Sequence, residues 1–510
     1  MTRLLLDGTS LTLDDLARIA SGATVELAIG EPALEAVARA RRLVAARVDA
    51  GEVVYGLTTG FGKLKSVAIG RADLERLQKN LILSHCCGVG EPMPADEVRV
   101  AQVLRLNGLV RGHSGVRVET VRALVRLFEK GFVPIVPQQG SVGASGDLAP
   151  LAHMTAAYMG HGEAWVRGER APAAEALRRV GEEPLRLAAK EGLALINGTE
   201  IMKAIAAVLA ARARNLSKAA DAIAALTIEA LLGSVKPFDE RLARLKGSEG
   251  QRRVAANVRA CLAESEVLRS HADCNRVQDP YSLRCVPQVH GAFKTALAHF
   301  AEVLAAEINA VTDNPIVFPD EDEVISAGLF HGQPVSMVLD YLGLALCSLA
   351  NISERRVEQL VNPDLSHLPP FLTPEPGLNS GLMIAQVAAA ALASENKIHA
   401  HPASVDTIPT SANQEDHVSM GVTAGRKARA ILDNTEAILG IELLCAAQAR
   451  GFHDDLCAGR GAEAACRVLR ARVPPLVEDR YLQPDLEAAR EVVRAELVAA
   501  VEGEVGELLD

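Results

Sequence analysis

Apolar residues spaced at three and four recur over most of this chain, in runs too long for anything but helices. The pattern covers roughly 199 to 232, 288 to 311, 334 to 361, 381 to 400 and 420 to 450. Shorter copies lie at 72 to 88 and in "QRRVAANVRACLAES", where Val254, Val258 and Leu262 share one face. Neighbouring long helices with little strand signal between them predict a mainly α protein. Its architecture should be a long-helix bundle with a smaller, loop-rich N-terminal region and a few short strands. Aromatic residues are only 3% of the 510 positions, so the core must be made from Ala, Leu, Val and Ile, which lets helices pack closely. Strand-like stretches are short: "EVVYGL" near 52, "EAWVRG" near 163, and "PIVFPDEDEVIS" near 315, the last patterned as a hairpin. The expected regions are 1–198, which carries the polar loops, 199–450, the bundle, and 451–510, a C-terminal helical region.

Net charge is −11 with acidic and basic residues interleaved, which argues against nucleic acid as a partner and leaves no polybasic membrane patch. Nine cysteines include no CxxC pair, and Cys86 and Cys87 are adjacent; buried thiols in a reducing compartment are the simplest reading. The opening "MTRLLLDGTSLTLDD" meets acids too early for a secretion signal. The longest uncharged run, 376 to 394, includes Pro376, Asn379, Ser380, Gln386 and Ser394 and reads as a buried bundle helix, not a membrane span. A cytoplasmic protein is expected. His399-Ala-His401 lacks both an HExxH frame and a nearby cysteine pair, so no metal is expected.

Four polar, glycine-bearing segments interrupt the helices: "VYGLTTGFGK", "GSVGASGDLAP", "RVQDPYSLRCVPQ" and "TSANQEDHVS". Functional groups concentrate on such segments when a rigid scaffold holds them. In the second, Ala144-Ser145-Gly146 reads as three reacting groups. If the loop bends sharply, the Gly146 nitrogen can attack the Ala144 carbonyl and close a five-membered ring. Loss of one water from that adduct, and of the Ser145 hydroxyl as a second, leaves a methylidene-imidazolone, an alkene conjugated to a carbonyl. Gly146 lacks a Cβ that would block the approach, Ser145 carries the leaving hydroxyl, and Ala144 is small enough to be buried in the turn. A second Ala-Ser-Gly, at 20 to 22, closes the helical pattern "TLDDLARIASG" with Gly22 as a C-terminal cap, where this bend is unavailable. The plainer alternative at 144–146 is a helix entry with Ser145 or Asp147 as N-cap and Pro150 in the first turn.

"GSVGASGDLAPLAHM" resembles the signature of the aromatic amino acid ammonia-lyases, whose prosthetic group is this imidazolone. "VYGLTTGFG", "LILSHCCGVGEP", "EGLALINGTEIM", "VQDPYSLRCVPQVHGA", "VTDNPIVF", "FHGQPVSM" and "TSANQEDHVSMG" resemble family segments in family order, from about residue 50 to 420. The length suits the bacterial members that act on histidine. The resemblance implies a 4-methylidene-imidazol-5-one formed autocatalytically from Ala144-Ser145-Gly146, no exogenous cofactor, and a homotetramer with shared active sites.

The implied roles fall on named positions. Tyr55 matches the general base that takes the substrate β-proton, which implies a phenol of depressed pKa. Arg284 matches the bidentate partner of the substrate carboxylate, and Gln278 and Tyr281 flank it as polar site residues. Asn197 matches a residue that polarises the imidazolone carbonyl, and Phe330 the ring packed beside the group. His85 faces the substrate ring in the family, as histidine in enzymes for histidine or tyrosine. Glu415 matches a glutamate typical of the histidine enzymes, where phenylalanine enzymes resemble it with glutamine. Together they favour L-histidine, eliminated to trans-urocanate and ammonia at the entry to histidine breakdown. A tyrosine ammonia-lyase or aminomutase is the alternative. A helical scaffold without catalysis is a third reading, but it would have lost Ser145, Tyr55 or Arg284. Glu200 in "NGTEIM" is a departure, since glutamine is expected there more often.

Overall fold

In a computed structural model, residues 2–60, 62–272, 276–453 and 455–510 are described. The long periodic patterns are helices at Glu200–Ala230, Val286–Glu307, Gln333–Val361, Met383–His399 and Gly421–Arg450. Each ends within four residues of where the apolar spacing stops. In the alanine-rich Glu200–Ala230 helix, residues 201–210 and 219–230 are all buried, so here the spacing of three and four marks a helix covered on every side.

Strands are few and short. Thr2–Leu6 pairs in parallel with Val25–Ile29, and Phe132–Pro134, Glu163–Val166 and Glu169–Pro172 form an antiparallel sheet. Val89–Pro92 pairs with Pro137–Gln139, and Ile316–Phe318 with Glu323–Ile325 forms the expected hairpin. "EVVYGL" is not a strand. Thr58 donates its hydroxyl to Glu52 O and accepts from Val54 N, and the Leu57 N–H turns back to Val54 O, so a side chain curls the segment into turns.

The chain divides into two compact units, each discontinuous in sequence. The first comprises 1–211, 301–340 and 402–426; the second comprises 212–300, 341–401 and 427–510. The three sequence regions 1–198, 199–450 and 451–510 do not coincide with these units, because four long helices run through both. The uncharged run near 381 also departs from its reading as a buried helix. Met383–His399 buries only Ala385, Ala389 and Asn396 fully and leaves Ile384, Val387 and Ile398 at 64%, 52% and 75% exposure. Along Gln333–Val361, Met337, Tyr341 and Leu344 form a similar exposed stripe. That helix is long and apolar enough to cross a membrane by length and composition, and much of it is buried.

The second unit hides an ion pair. Arg356 and Glu442 are both fully buried, and Glu442 also accepts from the Thr227 and Ser353 hydroxyls at 2.7 and 2.6 Å. His290 accepts from Arg356 through Nε2 and donates to Asp221 through Nδ1, since arginine can only donate. Such a pair fixes helix register more than it adds stability, and removing one member strands the other. Arg356→Met should therefore cost about 3–5 kcal/mol. Arg356→Met combined with Glu442→Leu should recover most of that loss, as read from thermal and urea unfolding of both variants.

Candidate active site

The loop at 140–147 is docked on a second loop, 197–199. Gly146 has φ +75°, and a Cβ there would lie 2.0 Å from the Gly198 carbonyl oxygen, so no other residue fits. The two glycines form a parallel bridge, and the Asp147 N–H donates to Gly198 O at 2.7 Å. One residue back, Asn197 Nδ2 donates to the Ser145 carbonyl oxygen at 2.8 Å. The helix Leu148–Tyr158 then begins, with Pro150 in its first turn. Asp147 stands at the N-cap position but does not cap its own helix. Its carboxylate accepts from Met202 N at 2.9 Å and from the Ser141 hydroxyl at 3.3 Å. Burial pushes the Asp147 carboxyl up to about 7, against the Met202 N–H, with the nearby Glu200 charge adding to the rise. The other Ala-Ser-Gly differs as its context implies: Ser21 caps the helix Leu13–Ala20, and a Cβ at Gly22 would meet nothing within 4 Å.

Ser145 opens onto two adjoining lobes of a cleft, about 440 and 300 Å³, both within the first unit. Tyr55, Gly62, Ser145, Asn314 and Glu415 line both lobes. Ala144 and Phe330 belong to the larger lobe, His85 and Asn197 to the smaller. Glu415 sits beside the serine: its Oε1 accepts from Ser145 Oγ at 3.1 Å. Its Oε2 is held by the hydroxyls of Thr410 and Ser411 at 2.8 and 2.6 Å.

His85 ends the helix Leu74–His85. Its Nδ1 lies 2.8 Å from Leu81 O, and a carbonyl can only accept, so Nδ1 carries the proton and Nε2 is left as an acceptor. Burial lowers the His85 pKa, against the Leu81 carbonyl and the Glu415 charge, and this favours the neutral ring. Tyr55 corrects an expectation. Burial holds its phenol above the ordinary value, the Gly62 N–H only partly offsets that, and Glu415 raises it further. Within one chain the resemblance's depressed phenol is not found, because burial outweighs the Gly62 N–H and the Glu415 charge adds to it.

The structure brings together eight of the expected site residues: Tyr55, His85, Ala144, Ser145, Asn197, Phe330 and Glu415 on the lobe walls, with Gly146 behind Ser145. It does not bring Gln278, Tyr281 and Arg284 with them. All three are in the second unit, and none lines either lobe. Tyr281 is 70% exposed, with the Arg284 guanidinium 4.4 Å above its ring. Asn314 is the residue that sequence reasoning missed. It lines both lobes, its Oδ1 accepts from Ala327 N at 2.8 Å, and the preceding Asp313 is paired at 2.7 Å with the buried Lys190. The signal was present in "VTDNPIVF", a polar break between a helix and a hairpin. His331 and His417, stacked with ring centroids 5.6 Å apart, complete part of the larger lobe.

A family model described as aromatic amino acid lyase matches residues 11–471. A histidine ammonia-lyase from Anaeromyxobacter sp. (strain K) is 54% identical over 503 residues, covering 97% of this chain and 99% of its own. Among solved structures, histidine ammonia-lyase from Trypanosoma cruzi superposes with a TM-score of 0.92 at 41% identity, over 99% of this chain and 96% of that one. Tyrosine aminomutase from Streptomyces globisporus superposes at 0.94 with 34% identity, over 100% of both chains.

The buried Asp147 gives stability a pH signature with a definite sign. Its folded pKa lies above the unfolded value, so between about pH 4 and 7 the folded chain holds a proton that the unfolded chain has lost. Stability therefore falls as pH rises through that window. Asp147→Asn removes this term, so the gap in unfolding free energy between wild type and variant should change in that direction between about pH 5 and pH 8. Parallel pH profiles in urea unfolding would contradict it.

Proposed function

The chain belongs to the aromatic amino acid lyase family, and we propose that it removes ammonia from L-histidine to give trans-urocanate, the first step of histidine degradation. The observation that carries this reading is the placement of Glu415. A glutamate held by two hydroxyls faces the serine of the Ala-Ser-Gly loop in the cleft that also contains His85.

The loop residues fit the methylidene-imidazolone. Gly146 occupies a cradle that a Cβ would fill, Ser145 opens on the cleft, and the oxygen that would become the ring carbonyl already accepts from Asn197. When formed, the group supplies an electrophilic alkene for the substrate's amine. The chain's own side chains do the rest. Asn197 Nδ2 draws charge onto the Ser145 carbonyl oxygen. Tyr55 is the β-proton acceptor, and because burial raises its phenol it needs positive charge brought in by the substrate ammonium and by a second copy. Glu415 Oε1 loses its present donor when the Ser145 hydroxyl departs and is left to accept a ring N–H. His85 offers a second acceptor at Nε2. Two acceptors favour a side chain that brings a donor, which excludes phenylalanine and admits imidazole.

Arg284 binds the substrate carboxylate from a second copy of the chain, in a homotetramer, with Gln278 beside it as a substrate-binding residue and Tyr281 as a catalytic one. The exposed stripes on Gln333–Val361 and Met383–His399 give such copies an apolar surface to share. The eight described cysteines are free thiols, which fits a reducing cytoplasm.

Three outcomes test this. Purified protein, or its peptide covering 140–150, should weigh two waters less than its sequence, and Ser145→Ala should keep the fold, the full mass and almost no turnover. Glu415→Gln should lower kcat/KM for histidine by about 5–150-fold, the worth of a misfitted buried hydrogen bond. His85→Leu should admit phenylalanine weakly while reducing histidine turnover. A full-mass chain that is fully active, a wild type that prefers tyrosine, or an active monomer in sedimentation would each overturn its part of the proposal.

A further inference from the structure

Behind the contact between Gly146 and Gly198 lies a cluster to which the reaction assigns nothing. Glu200, 1% exposed, opens the Glu200–Ala230 helix, yet its carboxylate folds back toward the loop before it. One oxygen accepts from Thr312 Oγ1 at 2.9 Å and from Lys203 Nζ at 3.4 Å; the other accepts from Arg105 Nη2. Arg105, buried on the helix Ala95–Leu109, turns the rest of its fork on the backbone. Nη1 donates to Ala194 O and Asn197 O, and Nη2 also reaches Asn197 O, all at 3.0 Å.

We propose that Glu200 is a positioning residue for the prosthetic-group loop: through Arg105 it clamps the Asn197–Gly198 peptide against which Ala144-Ser145-Gly146 is docked. This rests on the lyase reading above.

Three observations support it. Gly198 has φ +146°, and a Cβ there would lie 2.5 Å from Arg105 Nη2, 2.5 Å from Glu200 Oε2 and 2.8 Å from Thr312 Oγ1. The trio is thus flush against Gly198 at its Cα, while Gly146 rests on its carbonyl. Second, the Asn197 side chain has little else to orient it. Its Oδ1 is buried without a hydrogen-bond partner, so the aim of Nδ2 at Ser145 O depends on where the backbone holds the residue. That backbone is fixed at its N–H by Leu193 O, at 2.9 Å, and at its carbonyl by Arg105. Third, the Glu200 charge is felt at Asp147, whose N–H donates to Gly198 O. Ring closure needs the Gly146 nitrogen held over the Ala144 carbonyl. A peptide pinned from behind supplies that fixed surface. Arginine suits the task because one planar fork serves two carbonyls and a carboxylate at once, which lysine cannot.

The test follows maturation directly, as the two-water mass deficit of the intact chain over time after synthesis, with kcat and KM per matured site. Arg105→Lys keeps the charge beside Glu200 and loses the fork, so maturation should slow by about ten-fold, the worth of one charge-assisted hydrogen bond. Per matured site, kcat should fall with KM little changed. Glu200→Leu should slow maturation at least as much, and Glu200→Gln, which keeps the acceptor, should restore most of it. Arg356→Lys, a like change at the buried pair of the second unit, should lower the melting temperature and leave maturation alone. A wild type with no mass deficit would defeat the lyase reading itself. A wild type that matures, beside an Arg105→Lys that matures equally fast with unchanged kcat, would defeat the clamp alone. If Glu200→Leu yields no folded chain, Arg105→Lys decides.

Discussion

The site depends on a contact between two glycines. Gly146 lies so close to the Gly198 carbonyl that a Cβ at 146 would strike it, while Arg105, Glu200 and Thr312 close Gly198 to a Cβ from behind, and from that approach the neighbouring hydrogen bonds follow. Asp147 N reaches Gly198 O, Asn197 Nδ2 reaches Ser145 O, and Asp147 turns its carboxylate to Met202 N instead of capping its own helix. Neither loop has a regular ladder to define it. Each is the other's template, and the residues with reactive groups stand between them because only there is the backbone of both fixed.

Loops that serve as templates need support, and the first unit supplies it with buried ions. Lys190–Asp313, at 2.7 Å, stands immediately before Asn314 on the cleft wall. Glu191, fully buried at its side chain, takes Arg117 at 2.7 Å, Thr120 Oγ1 at 2.7 Å and Ala188 N at 2.8 Å, and it opens the short helix Glu191–Ile196 that Asn197 follows. Arg105–Glu200 lies behind Gly198. Buried pairs add little net stability, because desolvation offsets most of their attraction. What they give is direction: Asp313 accepts from Asn314 N, Glu191 from Arg117 N and Ala188 N, and Arg105 donates to Asn197 O. An apolar core of Ala and Leu, however well packed, has no means of aiming a peptide group.

Different parts of this arrangement were legible in the sequence to different degrees. The long helices were plain, since a spacing of three and four over twenty or thirty residues has no other solution, and the hairpin at 316–325 carried its own turn. "EVVYGL" failed because alternation cannot register that Thr58 binds Glu52 and Val54 and bends the segment. The two units were not legible, since each gathers three separated stretches of chain. Within the site, the residues on polar breaks could be found, while Arg105 could not. It sits mid-helix among "VRVAQVLRLNGLV", where an arginine reads as a solvated face, and only the fold shows it buried against Asn197. Glu200 stood out as a departure from the family's pattern, but its meaning needed the carbonyls that its partner holds.

The same logic of direction, on the proposed reading, distinguishes a carboxylate at 415 from an amide. Thr410 and Ser411 both donate to Oε2, which leaves Oε1 as the atom turned toward Ser145. A glutamine here would place its single carbonyl oxygen where those two hydroxyls converge. Its NH2 would then point at the cleft. The Ser145 hydroxyl can reverse its own role and accept, so the fold would not register the change. The cleft would: an acceptor becomes a donor at the one position where His85 Nε2 already supplies the other acceptor. Two acceptors suit a ring that carries an N–H; an acceptor and a donor suit a different partner. On the proposed reading, the choice among aromatic amino acids turns on which oxygen of Glu415 the Thr410 and Ser411 hydroxyls occupy.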